Sequence, residues 1–136
     1  MRKIYRMPLR FWYAHSRLSA EAKWKKIELY SEQIVSFLHK NNLGQNFVYW
    51  INYLKKYMAE KEIPEKDRIR ICEGVQAIIA IKIAKIRRAE LEGQFRSSQH
   101  IYSSRNMANE FIKSHPEVLD ALRAQPGLLM YRNRFV

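Results

Sequence analysis

A chain of 136 residues is long enough for one domain with a real core and too short for two. Its 25 Lys and Arg stand against 13 Asp and Glu, and the formal charge of +12 exceeds what solubility needs, so a polyanionic partner is expected, either a nucleic acid or an anionic membrane surface. A single cysteine, Cys72, excludes an internal disulfide framework and a cysteine-rich zinc site, and a reducing, intracellular setting is expected.

In chain order, the first eighteen residues, MRKIYRMPLRFWYAHSRL, contain Arg2, Lys3, Arg6, Arg10 and Arg17, no acid, and the aromatics Tyr5, Phe11, Trp12 and Tyr13. They read as a cationic arm rather than a secretory signal, having neither a sustained apolar stretch nor a small-residue cleavage site. Pro8 suits the first turn of a short helix with Leu9, Trp12 and Tyr13 on one side.

Ser16 or Ser19 then caps a helix running to about Lys40, in which Ile27, Tyr30, Ile34, Phe37 and Leu38 recur at three- and four-residue steps. Asn41, Asn42 and Gly44 stop it. Phe47, Trp50, Ile51, Leu54, Tyr57 and Met58 form the apolar stripe of a second helix that ends before Ile63-Pro64. A third, from about Glu65 to Glu92, carries Ile71, Val75, Ile78, Ile79, Ile83 and Ile86 around much of its girth and is expected to be the most buried. Its greasiest stretch, residues 75–86, includes Lys82 and Lys85 and is too short to span a bilayer, which implies a chain soluble before assembly.

After Gly93 the polar run QFRSSQHIYSS reads as a connector, with Ser104 capping a short helix that contains Met107, Phe111 and Ile112. Pro116 opens a last helix with Val118, Leu119 and Leu122 inward, and Gln125-Pro126-Gly127 ends it. No β-alternation of convincing length and no repeat is visible. The expected fold is all-α, a bundle of four to five helices over residues 19–127, with the extended basic arm at 1–18 and an apolar, basic tail at 128–136.

Few patterns offer catalytic chemistry. Arg10 and His15 have the arginine-four-residues-histidine spacing of all-helical HEPN ribonucleases, but Phe11 stands where that family usually has a polar residue and the segment lies in the arm. Ile4-Tyr5-Arg6 with Leu9-Arg10 resembles the start of the mitochondrial LYR-motif adaptors, yet Pro8 interrupts the helix that family needs. His15, His39, His100 and His115 are scattered without metal-ligand spacing, and four glycines cannot assemble a phosphate loop, so neither a metal nor a cofactor is expected. Cys72 reads as a packing residue.

Charge is more informative. Residues 1–26 hold eight Lys and Arg against one acid, Glu21. A solvated helix face ordinarily mixes both signs. A second group, Lys82, Lys85, Arg87 and Arg88, lies on the third helix, with Arg96 and Arg105 in the connector. On charge alone, the candidate backbone-binding residues are Arg2, Lys3, Arg6, Arg10, Arg17, Lys23, Lys25, Lys26, Lys82, Lys85 and Arg88. Each such cation placed against a phosphate releases condensed counterions and needs no base sequence to read. Helix-turn-helix, zinc-finger, RRM and KH signatures are absent from the sequence, which favours general binding to a double-stranded backbone.

Ala22-Lys23-Trp24-Lys25 at the start of the first core helix, Gln45-Asn46-Phe47 at the start of the second and His115-Pro116-Glu117-Val118-Leu119-Asp120-Ala121-Leu122 in the last are, in their order and spacing, similar to the major coat proteins of filamentous and rod-shaped archaeal viruses with linear double-stranded DNA (lipothrixvirus- and rudivirus-like). The resemblance covers roughly residues 20–125. It implies a structural virion protein, not an enzyme, whose N-terminal extension wraps the duplex and holds it in A-form within a helical nucleocapsid. It also implies subunits paired as dimers, with the same chain or with a paralogous coat protein. The charged, aromatic composition resembles the enveloped filamentous branch, and the apolar tail residues Leu128, Leu129, Met130, Tyr131 and Phe135 would serve a subunit contact or the viral envelope. The implied location is the virion, and the host cytoplasm before assembly. A charge of +12 matches 12 phosphates, about six base pairs at one phosphate per ~1.7 Å of duplex axis. A basic structural subunit of a ribosome or other RNA-containing complex would share the charge, arms and helices; self-assembly on any duplex separates the two.

Overall fold

The all-α expectation holds: a computed structural model describes residues 19–87 and 99–128, and among these residues there are five α-helices and no strand. They are α1 (Ala20–Leu38), α2 (Gly44–Glu60), α3 (Glu65–Arg87), α4 (Gln99–Ser114) and α5 (Pro116–Arg123), with a 3₁₀ turn at His39–Asn41 after α1. The arm, including the helix expected at Pro8, the segment 88–98 with the expected end of the third helix near Glu92, and the tail from 129 lie outside the described residues.

Ser19 is the cap of α1. Its backbone is extended, and its Oγ accepts from the Ala22 N–H at 3.2 Å, satisfying one of the free N–H groups of the first turn. The two corners that follow are built alike. At the first, the Leu43 N–H reaches the Leu38 carbonyl (3.2 Å) and the Asn42 N–H the His39 carbonyl (3.0 Å); at the second, the Ile63 N–H reaches Met58 (3.1 Å) and the Glu62 N–H reaches Ala59 (3.1 Å). Both are Schellman closures, with Asn42 and Glu62 in the left-handed position at φ 57°. Gly44 does not supply the turn conformation. It begins α2 against Val35, whose Cγ1 would stand 3.0 Å from an added Cβ.

Helices α1 and α2 bury Ile27, Ile34, Leu38, Phe47, Trp50, Ile51, Leu54 and Met58. Helix α3 is the most buried, as its girth of isoleucines predicts: Ile69 and every residue from 71 to 83 are out of solvent. It is held to α1 by Gln76, whose Nε2 donates to the Ile27 carbonyl (3.2 Å) and to Ser31 Oγ.

Helix α4 differs from the sequence reading. It begins at Gln99, so residues 99–104 are helical rather than a connector, and Ser104 is not a cap but a fully buried interior position. The reason is contact with α3. A Cβ on Gly74 would lie 2.0 Å from the Ser104 carbonyl oxygen and 2.8 Å from Ala108 Cβ. Glycine, serine and alanine here let two backbones approach, and that burial keeps an otherwise polar first turn helical. Arg70 donates to Ser103 Oγ, and His100 Nε2 lies 3.0 Å from Glu73 Oε1, so polar pairs flank the crossing.

Helix α5 starts at Pro116 as expected and buries Val118 and Leu122, with Leu119 half-buried. Its first turn docks on α2 through Tyr57, which donates to Glu117. Burial and this bond push the Tyr57 hydroxyl up to about 12, and the same bond lowers the Glu117 carboxyl. The His115 ring stacks on Phe111 with centroids 4.4 Å apart, and its Nδ1–H donates to the Phe111 carbonyl at 2.9 Å. Beyond α5, Gly127 takes φ 80° against the Leu43 side chain and Leu128 is buried, so the body extends one residue past its expected end and Leu128 is a core residue rather than an outer contact.

Two outcomes follow from these contacts. Gly74→Ala drives a methyl into backbone atoms that no rotamer change can move, and the loss expected in chemical denaturation is at least about 3 kcal/mol. A near-neutral substitution would mean that α4 does not lie where described. Glu62→Gly relieves an L-residue in the left-handed region, and after the entropy cost of glycine a gain of roughly 0.5–1 kcal/mol is expected in the same measurement.

Candidate nucleic-acid interface

The described cations gather most closely where α1 begins, next in sequence to the basic arm. Lys23, Lys25 and Lys26 occupy its first two turns, with Glu21 the acid of the first turn. The unpaired N–H groups of a helix start are themselves partly positive, so these lysines add to that end of the helix rather than offset it. Lys25 is exposed, while Lys23 and Lys26 are half-buried. Burial lowers the Lys26 pKa, and the carboxylate of Glu73 on α3 pulls it partly back.

Trp24 sits among them, half-buried against the core, and Lys55 of α2 places its Nζ 5.1 Å from the ring centroid. Charge–quadrupole attraction of this kind holds a flexible lysine in one place. Lys55 thereby meets α1 at Trp24, which lies between Lys23 and Lys25 in sequence. The sequence reading did not select it, although the Trp24 partner is implied once α1 and α2 fold back on each other across the short 39–43 turn.

Other selected residues fall elsewhere. Lys82 is 3 % exposed, which corrects its reading as a solvent-facing cation: its position on α3 is enclosed by neighbouring packing, because this helix is covered on all sides. Lys85 belongs to the last turns of α3, but its side chain lies outside the described residues, as do Arg2, Lys3, Arg6, Arg10, Arg17 and Arg88. Of the eleven, the side chains described besides Lys82 are Lys23, Lys25 and Lys26, all in the first two turns of α1, with Lys25 on a different side of the helix from Lys23. Arg105, expected in a connector, is on α4.

Charge separates unevenly along the chain. The described residues hold 16 Lys and Arg and 11 Asp and Glu, a net of +5, against +12 for the whole sequence. The segment 88–98 has two of each sign, so the remaining +7 belongs to the two ends, five cations at 1–18 and two, Arg132 and Arg134, in the tail.

No group of three His, Cys, Asp or Glu capable of holding a metal occurs among the described residues, and none of their helices is long and apolar enough to cross a membrane. The Cys72 thiol is fully buried and burial raises its pKa to about 12, the opposite of an activated nucleophile.

The fold defines a class: an all-α helical bundle, whose first helix follows a cationic segment in sequence. Comparison with protein-family models, with curated proteins and with solved structures finds no match.

Cys72 provides a chemical test of the packing. At mildly alkaline pH an aromatic disulfide reagent should label it only as fast as the protein opens, and at once in denaturant; prompt labelling of the folded chain would contradict the burial.

Proposed function

We propose that this chain is a structural nucleoprotein subunit, which binds the backbone of linear double-stranded DNA without reading its sequence and assembles with itself or a sister chain into a helical sheath. The observation that carries the reading is the placement of charge. A body of net +5 bears terminal segments of net +7, and the larger of these runs in sequence into the first turns of α1 with Lys23, Lys25 and Lys26. The body supplies a rigid, nearly balanced unit suited to packing beside copies of itself. The ends supply the counterion release that drives binding to phosphates.

The similarity of the Ala22-Lys23-Trp24-Lys25, Gln45-Asn46-Phe47 and His115–Leu122 segments to archaeal filamentous-virus coat proteins supports the same reading, and A-form DNA and a virion location belong to it. In the folded chain these segments have distinct jobs. Trp24 seats Lys55, Phe47 fills the core, Asn46 Nδ2 donates to the Pro126 carbonyl (3.5 Å), and His115 and Glu117 dock α5 onto α2. Binding rather than catalysis is the activity proposed.

Electron microscopy of the purified protein with random-sequence linear duplex DNA should show regular filaments, and removal of residues 1–18 should abolish them. Discrete particles formed only with one folded RNA would favour an RNA-associated subunit instead.

A further inference from the structure

Helix α4 turns Ile101, Ser104, Ala108, Phe111 and Ile112 inward, which leaves Tyr102, Asn106 and Lys113 exposed along one side, with the half-buried Arg105 beside them. This line itself contains no acid, and the exposed Glu110, the one acidic residue of the helix, flanks it on the side opposite Arg105. Tyr102 is 54 % exposed, one of the few large hydrophobic side chains described as exposed, and the Arg105 guanidinium carbon lies 5.9 Å from its ring centroid. That contact holds the guanidinium beside the exposed ring, and a planar five-donor group there can bind two oxygens of one phosphate. The Asn106 amide and the Lys113 ammonium add further donors along the same side. Polar donors with positive charge and no apolar groove fit a polyanionic backbone better than a protein surface.

Resting on the function proposed above, we infer that the outward face of α4 is a second contact of each subunit with the duplex backbone, separate from the start of α1. Helices α1 and α4 each pack on α3 without substantial contact with each other, so the two cationic faces are distinct. A subunit with two such faces grips the backbone at two places and fixes its own orientation on the duplex, which a flexible arm alone does not do.

The test is the salt dependence of binding of the full chain to random-sequence linear duplex, followed by fluorescence anisotropy. Arg105→Gln with Lys113→Gln should lower the slope of log Kobs against log[salt] by about 1.8, at about 0.9 per phosphate contact, while Arg105→Lys with Lys113→Arg keeps the wild-type slope. Lys61→Gln with Lys66→Gln, the same change of charge at exposed positions elsewhere, should leave the slope unchanged. A wild-type slope in the first variant, or an equal loss in the third, overturns the α4 face while leaving duplex binding intact. Failure of the wild-type chain to bind duplex at all overturns the function reading and this inference with it.

Discussion

The approach of α4 to α3 at Gly74 is the constraint on which the rest of the bundle depends. An interior helix of isoleucines can be covered only if neighbours lie close along it, and here one neighbour comes so near that even a methyl group would meet the Ser104 carbonyl. With the backbones in contact, dispersion contacts accumulate along the crossing, and small side chains lose little rotamer entropy on burial. That approach also places Phe111 and His115 where Tyr57 of α2 can pack against both. Helix α5 then follows, because Glu117 is one short step beyond. The chain of dependence runs from one glycine to the last helix.

Side-chain hydrogen bonds bridge the helices of this arrangement, while Gln76 Oε1, Arg70 Nε, Trp50 Nε1 and Ser104 Oγ are buried without a hydrogen-bond partner. Gln76 bridges α3 to α1, Arg70 and Glu73 bridge α3 to α4, and each bridge joins helices that also share apolar contacts. An interior polar bond adds modest net stability, yet an alternative packing that left its groups unpaired would cost more. The bridges thus select one rotation of α3 among the many that a helix apolar around its girth would tolerate.

Much of this was legible in the sequence because the signals are local. Ser19 before an amphipathic run, Pro116 after a break and Ile63-Pro64 after a stripe each fix a boundary through a few neighbouring backbone groups, and all three act as read. Residues 99–104 failed the same approach because their helix depends on a partner thirty residues away, and a small polar residue at an interior crossing looks identical to one in a loop. Lys82 failed for a related reason: charge predicts exposure only where a helix has a free side, and α3 has none over residues 71–83. The candidate site was half legible. Lys23, Lys25 and Lys26 stand out as a run, whereas Lys55 meets Trp24 only through the fold of α1 against α2. Arg105 was visible as a charge, but its outward face existed only once its segment was known to be helical.

Enclosure of residues 71–83 of α3 also sets the order in which the protein comes apart. Amide hydrogens along residues 71–83 exchange with solvent only when the surrounding helices separate, so their protection approaches that of global unfolding. Helix α5, of eight residues and docked through an exposed hydroxyl–carboxylate bond, opens at far lower cost. The chain therefore has a slow-exchanging axis over residues 71–83, with a short outer helix that can open without losing it.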